Sequence, residues 1–204
     1  MYCQETVSMF DGKFAVSISG NYNIGIFTHG QTQSFRTDEP WKMGLGLRYK
    51  KYSLSFSIPL NFQSNSLDME FNSYSEKLYF ESYLKRYKTY YADKTNEFKN
   101  AGLDIMNIGI TAGWIQNSKN HSLGSVYNKK LDRKQNISSG SFLYGFGVYY
   151  TSIYSDNTEI HHYNERNSII HFGPSAGYSY TWVLSHNMFI NTGINIGANL
   201  GINT

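Results

Sequence analysis

Ten segments of this chain alternate apolar residues with small or polar residues at a period of two, and this pattern constrains the fold more than any other feature. In the clearest segment, 41–49, Trp, Met, Leu, Leu and Tyr alternate with Lys, Gly, Gly and Arg. Successive side chains of a β-strand point to opposite sides, so a period of two is typical of a strand with two different faces. Several segments reach the ~9–11 residues with which a strand crosses a membrane. The pattern predicts an all-β chain.

The polar face of these segments carries few charges. In segment 188–202 it consists of Asn and Gly residues alone from residue 191 onward. A soluble sandwich or barrel turns its polar face to water, and soluble surfaces are usually rich in Lys and Glu. Small uncharged residues instead suit the lumen of a barrel whose apolar outside faces lipid. We therefore predict an antiparallel transmembrane β-barrel, with a soluble lipocalin-like ligand-binding barrel as the alternative.

The composition agrees with a barrel. Aromatic residues make up 17% of the 204 residues, and charged residues only 16%, against ~25% in typical soluble domains. No run approaches the ~18 apolar residues of a membrane helix, which excludes a helical membrane protein. The chain has one cysteine, so it cannot form an internal disulfide, and its Lys and Arg residues are scattered, so no nucleic-acid partner is predicted.

We predict a single barrel domain over residues 1–204, with about ten strands in this chain and up to twelve in a complete protein. Residues 1–10 lack the basic start and apolar core of the signal peptide that a secreted barrel needs. The last residues, 201–204, stop in mid-pattern without a closing aromatic residue. We expect a signal peptide and further strands beyond Thr204 in the complete protein.

The alternating segments predict strands at 13–27, 41–49, 52–60, 67–74, 77–90, 103–116, 121–128, 139–153, 168–184 and 188–202, of which 121–128 has the weakest pattern. A two-residue hairpin at Lys50-Lys51 would pair Leu47 with Leu54 and keep the apolar residues on one face. Lys-Lys is a poor type I′ turn, so a turn one or two residues longer stays open. Bacterial barrels alternate short turns with long loops, so a short turn is expected after every second strand. Here short turns follow the second, fourth and sixth predicted strands, and then the ninth instead of the eighth. Either a strand between 120 and 140 is missed or one turn is long.

The predicted register places a charged cluster on the lumen side of the strands, with the members Arg48, Asp68, Glu70, Glu81 and Lys85. Lys42 faces the same side. A Ser75-Glu76 turn would put Glu70 opposite Glu81, where like charges are unfavourable unless a cation bridges them or one is protonated. Such a pair would suit proton transfer, or a polar eyelet that selects ions. The favoured interpretation is a salt-bridge network in which Arg48, Lys85 and tyrosines satisfy the acids.

Other candidate sites are weaker. Segment 154–167 contains potential metal ligands, namely Asp156, Glu159, His161, His162 and Glu165. Adjacent histidines in an extended segment point opposite ways, however, so no metal site is predicted. His171 faces the lumen alone, and we expect it to hydrogen-bond a neighbour. The sequence contains no H-E-x-x-H motif, and its G-x-S-x-G match at residues 173–177 lies inside a predicted strand rather than at the strand-to-helix turn of a nucleophile elbow, so we predict no catalytic residue and no cofactor.

Four stretches carry a resemblance to a known family: DEPWKMGLGLRYKKYSLSFSIPL, LDMEFNSYSEKLYFESYLKRYKTYYAD, LDIMNIGITAGWIQN and SSGSFLYGFGVYYTSI. In this order they resemble the family catalogued as domain of unknown function 4421, outer-membrane β-barrels chiefly from Bacteroidetes. The resemblance covers roughly residues 13–200. It implies a location in a Gram-negative outer membrane. It implies no established activity, so no catalytic residue is carried over.

The function predicted from these patterns is that of a non-enzymatic envelope protein, either structural or a narrow pore, in contact with outer-membrane lipid and lipopolysaccharide. One alternative is a barrel enzyme acting on lipid or peptide, suggested only by Glu70, Glu81 and segment 154–167. The other is the soluble ligand-binding barrel.

Overall fold

A computed structural model describes residues 7–9, 14–22, 26–29, 33–37, 41–60, 66–92, 98–127, 133–155, 167–185 and 188–203. The strands in these ranges are β1 (Val7–Met9), β2 (Phe14–Tyr22), β3 (Ile26–His29), β4 (Gln33–Thr37), β5 (Trp41–Tyr49), β6 (Tyr52–Pro59), β7 (Leu67–Tyr74), β8 (Leu78–Ala92), β9 (Phe98–Ile115), β10 (Arg133–Gln135), β11 (Ser139–Ser155), β12 (Asn167–Ser185), β13 (Met188–Gly197) and β14 (Leu200–Asn203). A short helix, α1 (Leu123–Tyr127), lies between β9 and β10.

One antiparallel sheet dominates the structure, in the order β13-β12-β11-β9-β8-β7-β6-β5-β2. Strand β14 extends the β13 edge by pairing with β12, the hairpin β3-β4 joins β8, and β1 pairs with β10 separately. The prediction of an all-β, antiparallel sheet of about ten strands is confirmed. Within the described ranges the edge strands β13 and β2 do not pair with each other, so the sheet is open. No helix in the described part of the chain is long and apolar enough to span a membrane.

The period-two alternation gives the sheet two faces, as the sequence predicts. Each ladder pairs like with like: Leu47 lies opposite Leu54, and Ile110 lies opposite Val148. Large apolar side chains occupy one face, where Ile18 is 79% exposed. Gly, Ser, Asn, Tyr and charged residues occupy the other. We call these the apolar face and the polar face.

The β5-β6 hairpin has the two-residue turn that the sequence suggests, with Tyr49 opposite Tyr52. Lys50 adopts a φ of 51°, in the left-handed region that Asn or Gly takes more readily. The ammonium groups of Lys50 and Lys51 lie over the rings of the adjacent tyrosines, 5.4 and 5.3 Å from their centroids. The longer turn considered above is therefore not formed.

The β7-β8 hairpin differs from the prediction by two residues in register. Its tip is Glu76-Lys77, because the Ser75 amide donates to the Leu78 carbonyl at 2.8 Å. Glu70 thus lies opposite Tyr83, and Asn72 lies opposite Glu81. The prediction that Glu70 and Glu81 face each other is wrong. The observed register avoids placing two carboxylates side by side.

The predicted strand 121–128 is also wrong, since residues 123–127 form α1. Ser122 caps this helix, because its hydroxyl accepts a hydrogen bond from the Ser125 amide at 3.2 Å. The connection between β9 and β11 is thus the long one, and β11 pairs directly with β9. The short turns of the β5-β6, β7-β8 and β12-β13 hairpins then lie at one end of the sheet, which we call the turn end. The opposite end is the loop end.

A small core lies at the turn end of the polar face. Leu123 is buried there against Tyr74, Tyr79 and Ile115, and Leu143 packs beside them. We call residues 117–127, which contain α1, the plug. The plug covers part of the polar face at the turn end.

Candidate functional site

The polar face is concave. The Asn21 amide donates to Ser57 Oγ at 3.3 Å across the intervening strand β5. Lys42 Nζ reaches Asp68 Oδ2 at 2.9 Å across β6. Strands two positions apart in a flat sheet are roughly 9.6 Å apart, too far for Asn and Ser side chains to meet. The sheet therefore curls with its polar face inside.

One half of the polar face, formed by β8, β9, β11 and β12, is filled by tyrosines that lie over glycines. A Cβ on Gly113 would overlap the Tyr79 ring, and one on Gly109 would overlap the Tyr83 ring. The Tyr79 hydroxyl forms a hydrogen bond with Ser175 on β12. The Tyr83 ring stacks on the Tyr149 ring with centroids 6.5 Å apart. We call this the packed half.

The other half, formed by β2, β5, β6 and β7, contains a cavity of about 560 Å³. Most of its wall is made of small or polar side chains, including Ser17, Ser19, Asn21, Gly46, Ser53, Ser55, Ser57 and Asn72. Here serines lie opposite glycines, as Ser55 does to Gly46. We call this the open half.

All five members of the predicted charged cluster lie on the polar face, and four of them line the cavity: Arg48, Asp68, Glu70 and Lys85. Lys85 Nζ lies 3.0 Å from Glu70 Oε1, and both side chains are about 40% exposed, at 39% and 42%. Glu81 accepts a hydrogen bond from the Tyr74 hydroxyl at 2.8 Å. Arg48 forms no ion pair with any other described residue. The three acids are thus satisfied by two lysines, Lys42 and Lys85, and a tyrosine, as the favoured interpretation expects, but Arg48 takes no part.

Lys42 and Asp68 form the most buried ion pair of the described residues, with side chains only 5% and 16% exposed. The second carboxylate oxygen, Asp68 Oδ1, has no hydrogen-bond partner in the described part of the chain. This pair joins β5 to β7 near the loop end. A different pair, Arg86–Asp104, lies on the apolar face at the same end.

The plug contains a site that the sequence analysis missed. His121 is fully buried, and its Nδ1 donates to the Ser139 carbonyl at 3.2 Å. Its Nε2 has no partner among the described residues. Burial lowers the pKa of His121, and the hydrogen bond to Ser139 opposes this only in part. The one sequence signal for the plug was that residues 121–127 lack the regular alternation of apolar and polar residues.

The remaining candidates gain no support as a metal site. The potential ligands of segment 154–167 lie between residues 156 and 165, outside the described residues. Across the described ranges, no three His, Cys, Asp or Glu side chains come together to hold a metal ion. His171 lies on the polar face against Gly201, and its hydrogen bond to a neighbour stays a prediction.

One family model matches residues 2–204, and its description is Domain of unknown function (DUF4421). The chain belongs to this family. The match covers nearly the whole sequence and confirms the resemblance carried by the four stretches quoted above. No curated protein and no solved structure matches the chain. DUF4421 membership therefore identifies the protein without assigning it an activity.

Proposed function

We propose that the protein is a β-barrel of a Gram-negative outer membrane and serves the cell envelope as a non-enzymatic, narrow passage. In this proposal the apolar face contacts outer-membrane lipid and lipopolysaccharide, and the polar face lines the lumen. The observation that carries it is the exposure of large apolar side chains on each of the nine strands in the order β13 to β2. Soluble monomers rarely expose an apolar patch of more than a few hundred Å².

The height of the apolar face supports this proposal. On β5 the aromatic ends of that face, Trp41 and Tyr49, are eight residues apart, or about 27 Å along the strand. At a tilt of about 40° this spans about 21 Å, close to the ~25 Å apolar band of known barrels. Charged residues mark both limits, with Lys50-Lys51 at the turn end and Arg86–Asp104 at the loop end.

The positions of the aromatic residues support tilted strands. Following the ladders, Tyr52 on β6 lies level with Pro174 on β12, five strands away. The aromatic residues nearest the turn end of β12 are Tyr180 and Trp182, six and eight residues beyond Pro174. A shift of six to eight residues over five strands corresponds to a strand tilt of about 40–50°. The strands of known barrels, whose aromatic residues form girdles parallel to the membrane, are tilted by ~35–45°.

The direction of the edge strands indicates how the barrel closes. Eight antiparallel ladders separate β2 from β13, so these two strands run in the same direction. Bacterial barrels are antiparallel throughout and have an even number of strands. We propose that an additional strand lies between β13 and β2. The short turns would then lie on the periplasmic side and the longer connections outside.

Two alternatives are less well supported. A soluble barrel needs its apolar face inside, whereas the contacts that skip a strand, such as Asn21–Ser57, lie on the polar face. An enzyme based on a Glu70–Glu81 pair loses its main argument, because these residues lie opposite Tyr83 and Asn72 instead.

The experiment is refolding into detergent micelles and into lipid vesicles. We expect β-type circular dichroism, heat-modifiable migration in detergent gels and small single-channel conductance in planar bilayers. Monodisperse protein in plain buffer without detergent would contradict the membrane proposal. Hydrolysis of lipid or peptide that disappears in both Glu70→Gln and Glu81→Gln would favour the enzyme instead.

A further inference from the structure

We propose that the cavity of the open half binds a small hydroxylated anion, such as a sugar acid or a sugar phosphate, with Arg48 holding the anionic group. This inference rests on the proposed barrel, because it takes the polar face as the inside of a lumen. It goes further by naming the chemical class of the solute.

Among the described side chains of this face, Arg48 is the cation that remains available. Lys42 is held by Asp68, and Lys85 is held by Glu70. Arg48 forms no ion pair with another described residue, and it lines the cavity. Glu81 is the carboxylate in the same row of paired residues as Arg48. It lies three strands away from Arg48 and accepts a hydrogen bond from the Tyr74 hydroxyl. A guanidinium presents a planar fork of N–H donors that matches a carboxylate or a phosphate in two parallel hydrogen bonds.

The rest of the cavity wall suits hydroxyl groups. Five serines line it, from the two strands on either side of β5: Ser17, Ser19, Ser53, Ser55 and Ser57. Each hydroxyl both donates and accepts hydrogen bonds, as the hydroxyls of a sugar do. Asn21 and Asn72 add amide donors and acceptors. Gly46, which also lines the cavity, has no side chain and lets a ligand approach the strand closely.

The size of the cavity agrees with a small solute. Its volume of about 560 Å³ lies within the ~300–1,000 Å³ of ligand pockets. On the packed half, the rings of Tyr79 and Tyr83 occupy the space over Gly113 and Gly109. The solute would therefore lie against β2, β5, β6 and β7, with its anionic group toward the turn end, where Arg48 lies.

The test uses the full chain refolded in detergent and equilibrium dialysis with labelled D-gluconate, with D-glucose as the neutral probe of similar size. We expect gluconate to bind saturably and at least about tenfold more tightly than glucose, because a charge-assisted pair contributes more than a neutral hydrogen bond. Arg48→Gln should remove this preference by weakening the binding of gluconate to about that of glucose. Arg86→Gln, which removes a cation on the apolar face, should change neither.

The outcomes separate this inference from the proposed barrel. Wild-type protein that shows no heat-modifiable migration contradicts the barrel and the inference with it. Folded wild-type protein that binds gluconate no better than glucose contradicts the inference alone, and so does a preference that survives Arg48→Gln. Should Arg48→Gln fail to fold, Ser55→Tyr provides the second variant, since its ring fills the cavity and is expected to abolish gluconate binding.

Discussion

The packed half and the open half of the polar face share one backbone pattern but differ in what lies opposite each glycine. On β8 and β9 the partner of glycine is tyrosine, as in the pair Tyr83–Gly109. On β5 and β6 it is serine, as in Ser55–Gly46. The tyrosines fill the concavity, and the serines leave about 560 Å³ open. Small residues on one strand thus leave a cavity only where the residues opposite them on the neighbouring strand are small as well.

The two halves also divide structural and binding roles. The buried apolar cluster lies mainly on the packed half together with the plug, and β7 of the open half contributes Tyr74 to it. The open half carries the available guanidinium and the serine wall. Binding sites are most precise when a rigid scaffold supports them. The following predictions test this division, from the largest expected effect to the smallest.

Removing the buried cation of the open half should have the largest effect. Lys42→Met leaves Asp68 buried without its partner, and breaking such a pair costs about 3 kcal/mol in the free energy of unfolding. Lys85→Met breaks a half-exposed pair and should cost less than about 1 kcal/mol. Urea titration in lipid vesicles measures both. Equal losses of stability in the two variants would mean that the buried Lys42–Asp68 pair stabilises the open half no more than the half-exposed pair does.

Adding one methyl group should separate the two halves. Gly113→Ala forces the Tyr79 ring to move and should cost about 1–3 kcal/mol in stability. Gly46→Ala meets only the Ser17 hydroxyl, which can rotate away, and should change stability by less than about 0.5 kcal/mol. In a Tyr79→Ala background most of the Gly113→Ala cost should disappear. A similar cost at both glycines would argue against two differently packed halves.

The plug should lose stability in acid. Burial lowers the pKa of His121 in the folded state below its value near 6.5 in the unfolded state. The unfolded state therefore binds the proton more readily, and stability present above about pH 6.5 is lost as the pH falls below it. The hydrogen-exchange protection of residues 117–126, relative to the intrinsic exchange rate at each pH, should fall as the pH is lowered from 7 to 5. His121→Gln should abolish that change, whereas His171→Gln, outside the plug, should keep it.

Filling the open half should have the smallest effect on stability. Ser55→Tyr builds over Gly46 the arrangement that Tyr83 has over Gly109, and the cavity provides the space. We expect less than about 0.5 kcal/mol of destabilisation, because no packed side chain has to move. Single-channel conductance should nevertheless fall. Unchanged conductance would indicate that the passage does not run along the open half.

The sequence predicted the two faces well because a one-residue shift would turn each side chain to the wrong side. For the same reason the pairing of Tyr49 with Tyr52 was predictable. A shift of two residues leaves all faces unchanged, however, and periodicity cannot detect it. That is why the β7-β8 register was missed and why Glu70 was expected opposite Glu81 rather than Tyr83.

The plug and the cavity could not be predicted from periodicity. A helix of five residues is too short to be stable by itself, so α1 depends on contacts that Leu123 makes with residues distant in sequence. The charged cluster was predictable as a set of residues on one face. Its pairing was not, because the reach of Lys42 to Asp68 depends on the curvature of the sheet.

The central claim is that the apolar face contacts lipid, and site-directed labelling tests it most directly. Leu45→Cys on the apolar face and Ser55→Cys in the cavity are placed separately in a Cys3→Ser background, refolded in vesicles and treated with a lipid-soluble and a water-soluble thiol reagent. Leu45 is 46% exposed, and its neighbour across the ladder is Phe56. The account predicts that the Leu45→Cys variant reacts only with the lipid-soluble reagent and the Ser55→Cys variant only with the water-soluble one. Equal labelling of both variants by the lipid-soluble reagent, or labelling of the Leu45→Cys variant by the water-soluble reagent alone, would contradict it.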